Sequence, residues 1–300
     1  MKDTMIRAAA ATIRFLGLWL MLCAWAFTAS AQPLRVVAWN IEWFPGVTPD
    51  ASPEEQAAHM EAAQEALREI DPDIFIGQEI RDWQAFDELV SAVPGLRAHA
   101  VSSFRRSISR EIGPQQVGIA SKLKCRGAWW QDFKVLVPRS SRGFTFAALE
   151  HPETEKLIMV YGVHLKSNRG SDTEYGAIVN AAARNDQTRQ LIAAIGDAAQ
   201  AFAGAEVQGW IIGGDINTNH DEQFPHCRVV RMLENVGFHN TWRGVPREER
   251  LTWRSEEGLP WDPTTLDYFF LSGFGREIRA EIVEVPRELS DHYPILIELP

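Results

Sequence analysis

Residues 210–217 read Trp-Ile-Ile-Gly-Gly-Asp-Ile-Asn, an apolar run that stops on two glycines, a carboxylate and an amide. On an extended backbone Asp215 and Asn217, two apart, point to the same side, and Gly213 and Gly214 let a ligand approach closely. Taken alone, the same letters also fit an Asx turn at a strand end. The shape recurs, however: Asn40 ends LRVVAWN, Gln78-Glu79 end DIFIGQE and His164 ends LIMVYGVH. Two later segments invert it, with Asp267 near the start of LDYFFLS and Ser290-Asp291-His292 just before PILIEL. A strand running up a sheet delivers its last residue to the top edge, and one running down delivers its first residue there. All six tips can therefore share one edge. Carboxylates, amides and two imidazoles on one rim predict a hard-metal hydrolase site rather than packing, since Asp and Glu are seldom buried unpaired.

Helical stretches separate these strands. Ser52 is placed to cap PEEQAAHMEAAQEALREI, with Pro53 at the first helical position and Glu55 completing a capping box, so that Leu67 and Ile70 face the core. A second helix is predicted through AAARNDQTRQLIAAIGDAAQAF, with Leu191, Ile192, Ile195 and Ala199 at helical spacing. QQVGIASK, GFTFAALE, LIMVYGV, WIIGG, LDYFFLS, AEIVEV and PILIEL have strand character, being short and rich in β-branched or aromatic residues. Helices outside and two strand layers inside give an α/β sandwich with mixed sheets.

Lys2, Arg7 and Arg14 precede the apolar run FLGLWLMLCAWAF, and Ala29-Ser30-Ala31 offers a cleavage site, so residues 1–31 read as a signal peptide. The run is short for a membrane span of ~20 residues. A periplasmic or secreted protein follows, with no stable membrane association after cleavage. Residues 32–300 form a single catalytic domain in this reading, since no linker or internal repeat divides them. In an oxidising compartment Cys125 and Cys227 either pair or stay as buried thiols. The mature chain carries 27 Lys+Arg against 39 Asp+Glu, a net charge of −12, which excludes an overall basic footprint. Residues 97–142 run the other way, with ten Lys and Arg against Glu111 and Asp132. That segment is either a solvated face answering acidic neighbours or a surface for the phosphates of a polyanion.

Trp39-Asn40-Ile41, Gln78-Glu79, His164, Gly214-Asp215-Ile216-Asn217, Leu266-Asp267-Tyr268 and Ser290-Asp291-His292 resemble the ordered motif set of the endonuclease/exonuclease/phosphatase superfamily, the deoxyribonuclease I-like fold, in a secreted bacterial form. The likeness runs from residue 36 to residue 298. It implies a four-layer αββα sandwich, with two mixed β-sheets packed face to face, helices outside and the active site at the strand ends. It also implies that Glu79 holds Mg²⁺ or Mn²⁺, helped by Asn40 and Asp291. His292, oriented by Asp267, becomes the general base on water or the group that answers the phosphate's developing charge, and Asp215 competes for the water. Asn217 and His164 contact phosphoryl oxygens, with His164 also placed to protonate the leaving group.

His164 followed by Leu-Lys-Ser-Asn-Arg-Gly resembles deoxyribonuclease I, sphingomyelinases and secreted bacterial nucleases, whereas Leu266-Asp267-Tyr268-Phe269 resembles the exonuclease III branch. The histidine carries more weight because it would touch phosphate. The function expected is a metal-dependent nuclease, monomeric, with nucleic acid as its substrate. Lys166, Arg169, Arg105, Arg106 and Arg110 are candidate phosphate contacts. A sphingomyelinase or phospholipase C, or a phosphomonoesterase, is the alternative, and Trp129-Trp130 would then be its membrane-contacting pair. Glu42 is expected in a salt bridge or exposed; His220 and His226, flanking Asp221, are expected as loop polar residues. No Walker loop, nucleophile elbow or zinc-type Cys/His cluster occurs.

Overall fold

Alternation along the first strand, β1 (Leu34–Phe44), sets the layering. Val36 and Ala38 enter one core and Val37, Trp39 and Ile41 enter another, so the strand is buried on both faces. The structure is a computed structural model that describes residues 32–106, 109, 111–134, 142–221, 223–255 and 262–300. The expected signal peptide lies outside the described residues.

The Val37 core is closed by α1 (Pro53–Ile70) and α2 (Trp83–Val90), through Met60, Leu67, Phe86 and Leu89. Both halves of the α1 capping box form: Glu55 N–H donates to Ser52 Oγ at 3.2 Å and Ser52 N–H to Glu55 Oε2 at 2.7 Å. Asp82 caps α2 by accepting the Ala85 N–H at 2.8 Å. The strand between the two helices is β2 (Ile74–Ile80), parallel to β1. Then come β3 (Arg97–Val101) and β4 (Gln116–Ser121). With β11 (Glu281–Ile282) and β12 (Ile295–Leu299) they build a six-stranded sheet in the order β11-β12-β1-β2-β4-β3.

The second sheet takes β5 (Lys124–Asp132), β6 (Gly143–Glu150), β7 (Leu157–His164), β8 (Val207–Asp215), β9 (His239–Asn240) and β10 (Asp267–Ser272), in the order β5-β6-β7-β8-β10-β9. Only β7 and β8 run parallel in it, so both sheets are mixed. Its outer face packs under α3 (Glu174–Ala201), where Tyr161 Oη donates to the Ala194 carbonyl at 3.1 Å, and a short α4 (Val229–Asn235) lies beside α3. The four-layer αββα sandwich is therefore formed, within one compact unit spanning Leu34–Leu299.

The two sheets meet where Ile76 of β2 faces Gly162 of β7 and Gly213 of β8. A Cβ on Gly213 would sit 2.7 Å from both Ile76 Cδ1 and Phe269 Cε1, and one on Gly162 would sit 2.8 Å from Ile76 Cγ2. Gly214 has φ +130°, and a Cβ there would lie 2.1 Å from the Val163 carbonyl. The glycines expected to admit a ligand thus admit the protein's own chains instead. α3 begins at Glu174, seven residues before the predicted start, because Thr173 caps it through Gly176 N–H. It buries Leu191, Ala194 and Ala198, while Ala199, the last of the residues at helical spacing, is exposed. AEIVEV contributes only Glu281–Ile282. Cys125 and Cys227 are free thiols.

Gly162→Ala should destabilise the fold by about 1–3 kcal/mol through overpacking against Ile76, Thr145 and Val117. Urea denaturation checks this; an unchanged midpoint would mean that the sheets are not in contact there.

Candidate active site

The six strand tips meet at one end of the sandwich. Asn40 lies opposite Gln78 in the parallel pair β1·β2, and His164 lies opposite Asp215 in β7·β8. Antiparallel β10 places Asp267 against Asp215 from the other side, and His292 stands three residues before β12. Descending strands thus contribute first residues where ascending strands contribute last ones.

Asp215 is buried at the centre of this edge. Its Oδ1 accepts the Asn217 backbone N–H at 2.8 Å, and its Oδ2 accepts Asn217 Nδ2 at 3.0 Å and Asn40 Nδ2 at 3.2 Å. The Asn40 bond crosses from one sheet to the other. His164 Nε2 and His292 Nε2 lie 3.4 and 3.9 Å from the same oxygen. Asn40 Nδ2 also reaches Glu79 Oε1 at 3.4 Å, and Glu79 Oε2 accepts the Trp43 N–H at 3.1 Å. Glu42, Trp43, Glu79 and Asn217 all have φ between +35° and +61°. Such left-handed conformations cost about 1–3 kcal/mol each and persist where the surroundings impose them.

His292 is fixed from several directions. Its Nδ1 lies 2.7 Å from Asp267 Oδ2, which also accepts Thr252 Oγ1 at 2.7 Å. Thr252 Oγ1 in turn accepts the Leu266 and Asp267 N–H groups at 2.9 and 3.0 Å. Ser290 Oγ donates to the Asn40 carbonyl at 2.7 Å and accepts His292 N–H at 2.9 Å, tying the segment before β12 to β1. Asp291 Oδ2 accepts Trp253 Nε1 at 3.0 Å. Asp291 N–H donates to Glu42 Oε2 at 2.9 Å, which Arg287 also binds at 2.8 Å, so Glu42 stands in a salt bridge, the expected arrangement.

Charge is unevenly placed here. Burial disfavours a charged His292, yet Asp267, Asp291 and Asp215 together hold its pKa well above the ordinary histidine range. Burial lowers His164 well below that range, and the positive Arg142, His292 and Lys166 push it further down. Burial raises the Asp215 carboxyl, with Asp267 and Glu79 adding repulsion. Burial, then Asp291, pushes Glu42 up to about 7 against the pull of Arg287.

Glu79, His164, Asp215, Asn217, Asp291 and His292 line a cavity of about 510 Å³, with Asn40 and Asp267 bonded behind them. Arg169 lines it too. Lys166 sits behind, its Nζ donating to the Ser167 carbonyl at 2.9 Å, and burial together with Arg142, Arg184 and Arg169 lowers its pKa to about 8. Arg105 and Arg106 are exposed in the β3–β4 connection at the same end but do not line the cavity, and Arg110 lies outside the described residues. The basic segment is split: Lys122 bonds Asp71 at 2.7 Å and Asp73 at 3.3 Å, and Lys124 and Arg126 pair with Glu150, at the far ends of β2 and β6. Those three cations answer local carboxylates. His220 contacts Tyr268 Oη at 3.1 Å, Asp221 pairs with Arg250, and His226 lines the cavity rim.

Four residues join the site without having been singled out from sequence. Arg142 Nη2 lies 3.4 Å from His164 Nε2 and donates to Gln115 Oε1 at 3.1 Å. It stands just before GFTFAALE, the same inverted tip as Asp267, and that is the signal that marks it. Arg184 is buried on α3, while Thr252 and Trp253 come from an irregular segment with no periodicity to read. Trp253 also borders a wider depression of about 740 Å³, lined by Glu248, Glu249, Glu281 and Glu284, which holds none of the strand tips.

Residues 37–292 match the profile of the Endonuclease/Exonuclease/phosphatase family. No curated protein matches the chain in sequence. Among solved structures, the human nocturnin catalytic domain with bound sulfate is 18% identical, covers 90% of this chain and 93% of its own, and superposes with a TM-score of 0.64. Beta toxin from Staphylococcus aureus is 20% identical over 89% of this chain and 100% of its own, with a TM-score of 0.64. Truncated Caenorhabditis elegans TDP2 is 16% identical over 89% and 98%, with a TM-score of 0.62. At these identities the likeness is one of fold.

The two imidazoles should titrate in opposite directions from the free value of ~6.5. Measured by NMR on metal-free protein, His292 stays charged well above that pH and His164 stays neutral well below it. The stability that His292 contributes is then complete below pH ~6.5 and lost as pH rises through its elevated folded pKa. Asp267→Asn should bring the His292 titration down; an unmoved titration would remove Asp267 as its partner.

Proposed function

Because the chain belongs to the endonuclease/exonuclease/phosphatase family, whose members are generally hydrolases of phosphoester bonds, we propose that it is an exported, monomeric, divalent-metal-dependent phosphodiesterase that cleaves nucleic acid. The observation that carries this reading is the Asp215 centre, where one buried carboxylate is met by two amides and two imidazoles inside a cleft that also holds arginines.

Glu79, Asn40 and Asp291 are the residues that would hold the metal. They supply the hard oxygen donors that suit Mg²⁺ or Mn²⁺; Asn40 stands 3.4 Å from Glu79, and Glu79 and Asp291 line the same cavity. Asp215, Asp267 and His292 offer ligand atoms within 4.8 Å of one another, a tighter group. It suits Mg²⁺ or Mn²⁺ less well, because an imidazole nitrogen is a softer donor than the oxygens of Glu79, Asn40 and Asp291. A divalent ion at this edge would neutralise the phosphate and polarise its oxygens.

The chain's own groups divide the remaining work. A carboxyl raised toward neutrality is matched to proton abstraction, so Asp215 orients the attacking water and takes its proton. Of the two roles expected for His292, the charge held on it by Asp267, Asp291 and Asp215 favours the second, answering the charge that develops on the phosphoryl oxygens. His164, neutral, acts as a hydrogen-bonding group on the phosphate rather than as an imidazolium acid, and Asn217 and Arg142 complete the set.

For substrate, Arg142, Lys166, Arg169 and Arg184 favour a polyanion. The lipid alternative calls for paired exposed tryptophans, whereas Trp129 packs 4.0 Å from Phe146 and 6.4 Å from Phe202, leaving Trp130 38% exposed beside it. Purified protein with Mg²⁺ or Mn²⁺ should degrade plasmid DNA or RNA, with rates that fall steeply with salt as phosphate contacts are screened. A small chromogenic diester should respond to salt far less. Sphingomyelin cleavage without any action on DNA or RNA would promote the lipid reading.

Chelation should abolish turnover reversibly, and Glu79→Ala should weaken metal binding while the fold persists. His292→Ala should cost ~10²–10⁴-fold in rate. Full activity in excess chelator would overturn the metal assignment.

A further inference from the structure

One wall of the catalytic cleft is not polar. Ala177, Ala181 and Arg184, at positions i, i+4 and i+7 of α3, present one helix face to the cavity, and Phe224 and Pro225 of the β8–α4 connection line it beside Arg184. The Arg184 guanidinium lies 5.7 Å from the centroid of the half-buried Phe224 ring. None of these residues reaches the Asp215 centre through a hydrogen bond, so the wall is free of the catalytic role.

The connection is held in place from both sides. Gln223 Oε1 accepts Asn219 Nδ2 at 2.8 Å and Thr264 Oγ1 at 2.7 Å. Asn185 of α3 donates from Nδ2 to the His226 carbonyl at 3.1 Å and accepts Arg228 N–H at 2.7 Å. Arg184, itself buried, is fixed by the Lys166 carbonyl at 2.9 Å and by Cys227 Sγ at 3.4 Å. Its donors meet neutral acceptors, so its positive charge remains at the wall. An apolar ring on a pinned loop, backed by a fixed guanidinium and beside a phosphate-handling centre, forms a stacking platform.

We propose that Phe224, with Arg184, Ala177 and Ala181, is a subsite that stacks the base of a nucleotide flanking the scissile phosphate. This rests on the nucleic acid phosphodiesterase reading and specifies how the substrate is gripped. A planar base with its anionic phosphate matches both halves of the wall. A quaternary ammonium headgroup does not, because Arg142, Lys166, Arg169 and Arg184 would all repel it.

The test uses single-stranded oligonucleotides protected by phosphorothioates at every linkage but one, with a base or only a hydrogen on the sugar at either side of that linkage. Wild-type enzyme with Mg²⁺ should lose kcat/KM by about 5- to 150-fold when the base on one side is removed. Phe224→Ala should lose a similar factor on the intact substrate and little further on the base-less one, and Phe224→Trp should restore the discrimination. Thermal melting shows whether each variant is folded. Equal activity of wild type and a folded Phe224→Ala on the intact substrate overturns the subsite while leaving the nuclease reading standing. Wild-type enzyme that leaves every oligonucleotide uncut but cleaves sphingomyelin overturns the nuclease reading and the subsite with it.

Discussion

A carboxylate buried between two sheets cannot stay there without partners, and the geometry at Asp215 follows from that requirement. Its two oxygens are met by Asn40 from one sheet, by Asn217 from the turn beyond its own strand, and by the two imidazoles. Removing water from around the group makes each of these contacts electrostatically stronger. It also means that the sheets are joined at the rim by chemistry and below it by the close contact of Ile76 with Gly162 and Gly213. The distance between sheets that suits glycine packing is therefore the same one that lets an amide on β1 reach a carboxylate on β8.

The strained backbone belongs to the same arrangement. Glu79, next to last in β2 with φ +61°, and Asn217, in the turn beyond β8 with φ +53°, are both left-handed, which turns each side chain out of the normal pleat. A regular strand would send Gln78 and Glu79 to opposite faces. The distorted end instead brings Glu79 within reach of Asn40 and the Trp43 amide while Gln78 stays fully buried. Packing below the rim, in Phe75, Ile76 and Phe86, holds that conformation in place.

The fold was legible because the strands that build it are apolar, short and bounded by polar tips. Asn40, Glu79, His164 and Asp215 announce themselves by ending such runs, and Asp267 by starting one. Elements at the sheet margins were not legible. KCRGAWWQD is an edge strand open to solvent, and Lys124, Arg126, Gln131 and Asp132 break its apolar pattern at both ends, while β3 and β9 are too short to show a period. α2 escaped notice because eight residues give little more than two turns of amphipathic pattern. Thr252 and Trp253 contact Asp267 and Asp291 from an irregular segment, where position is set by tertiary bonds alone. Charge was misleading for the same reason: Lys122, Lys124 and Arg126 are near Arg142 in sequence, but antiparallel strands carry them to the opposite end of the sandwich.

The division between these two kinds of residue has a mechanical basis. Groups proposed to act on a phosphate sit at the ends of central strands, where hydrogen bonds on both sides restrict their movement. Groups that would select a substrate, such as Arg169, Arg184 and Phe224, come from a helix face and from connections whose lengths the sheets do not constrain. On that proposal a substitution in the second set changes what is held without disturbing the rim, whereas the first set is coupled through Asp215 and changes as a unit. Two chains can thus share this fold at a fifth of identical residues or fewer, because the apolar pattern of the strands sets the layers while the walls around the rim are left to vary.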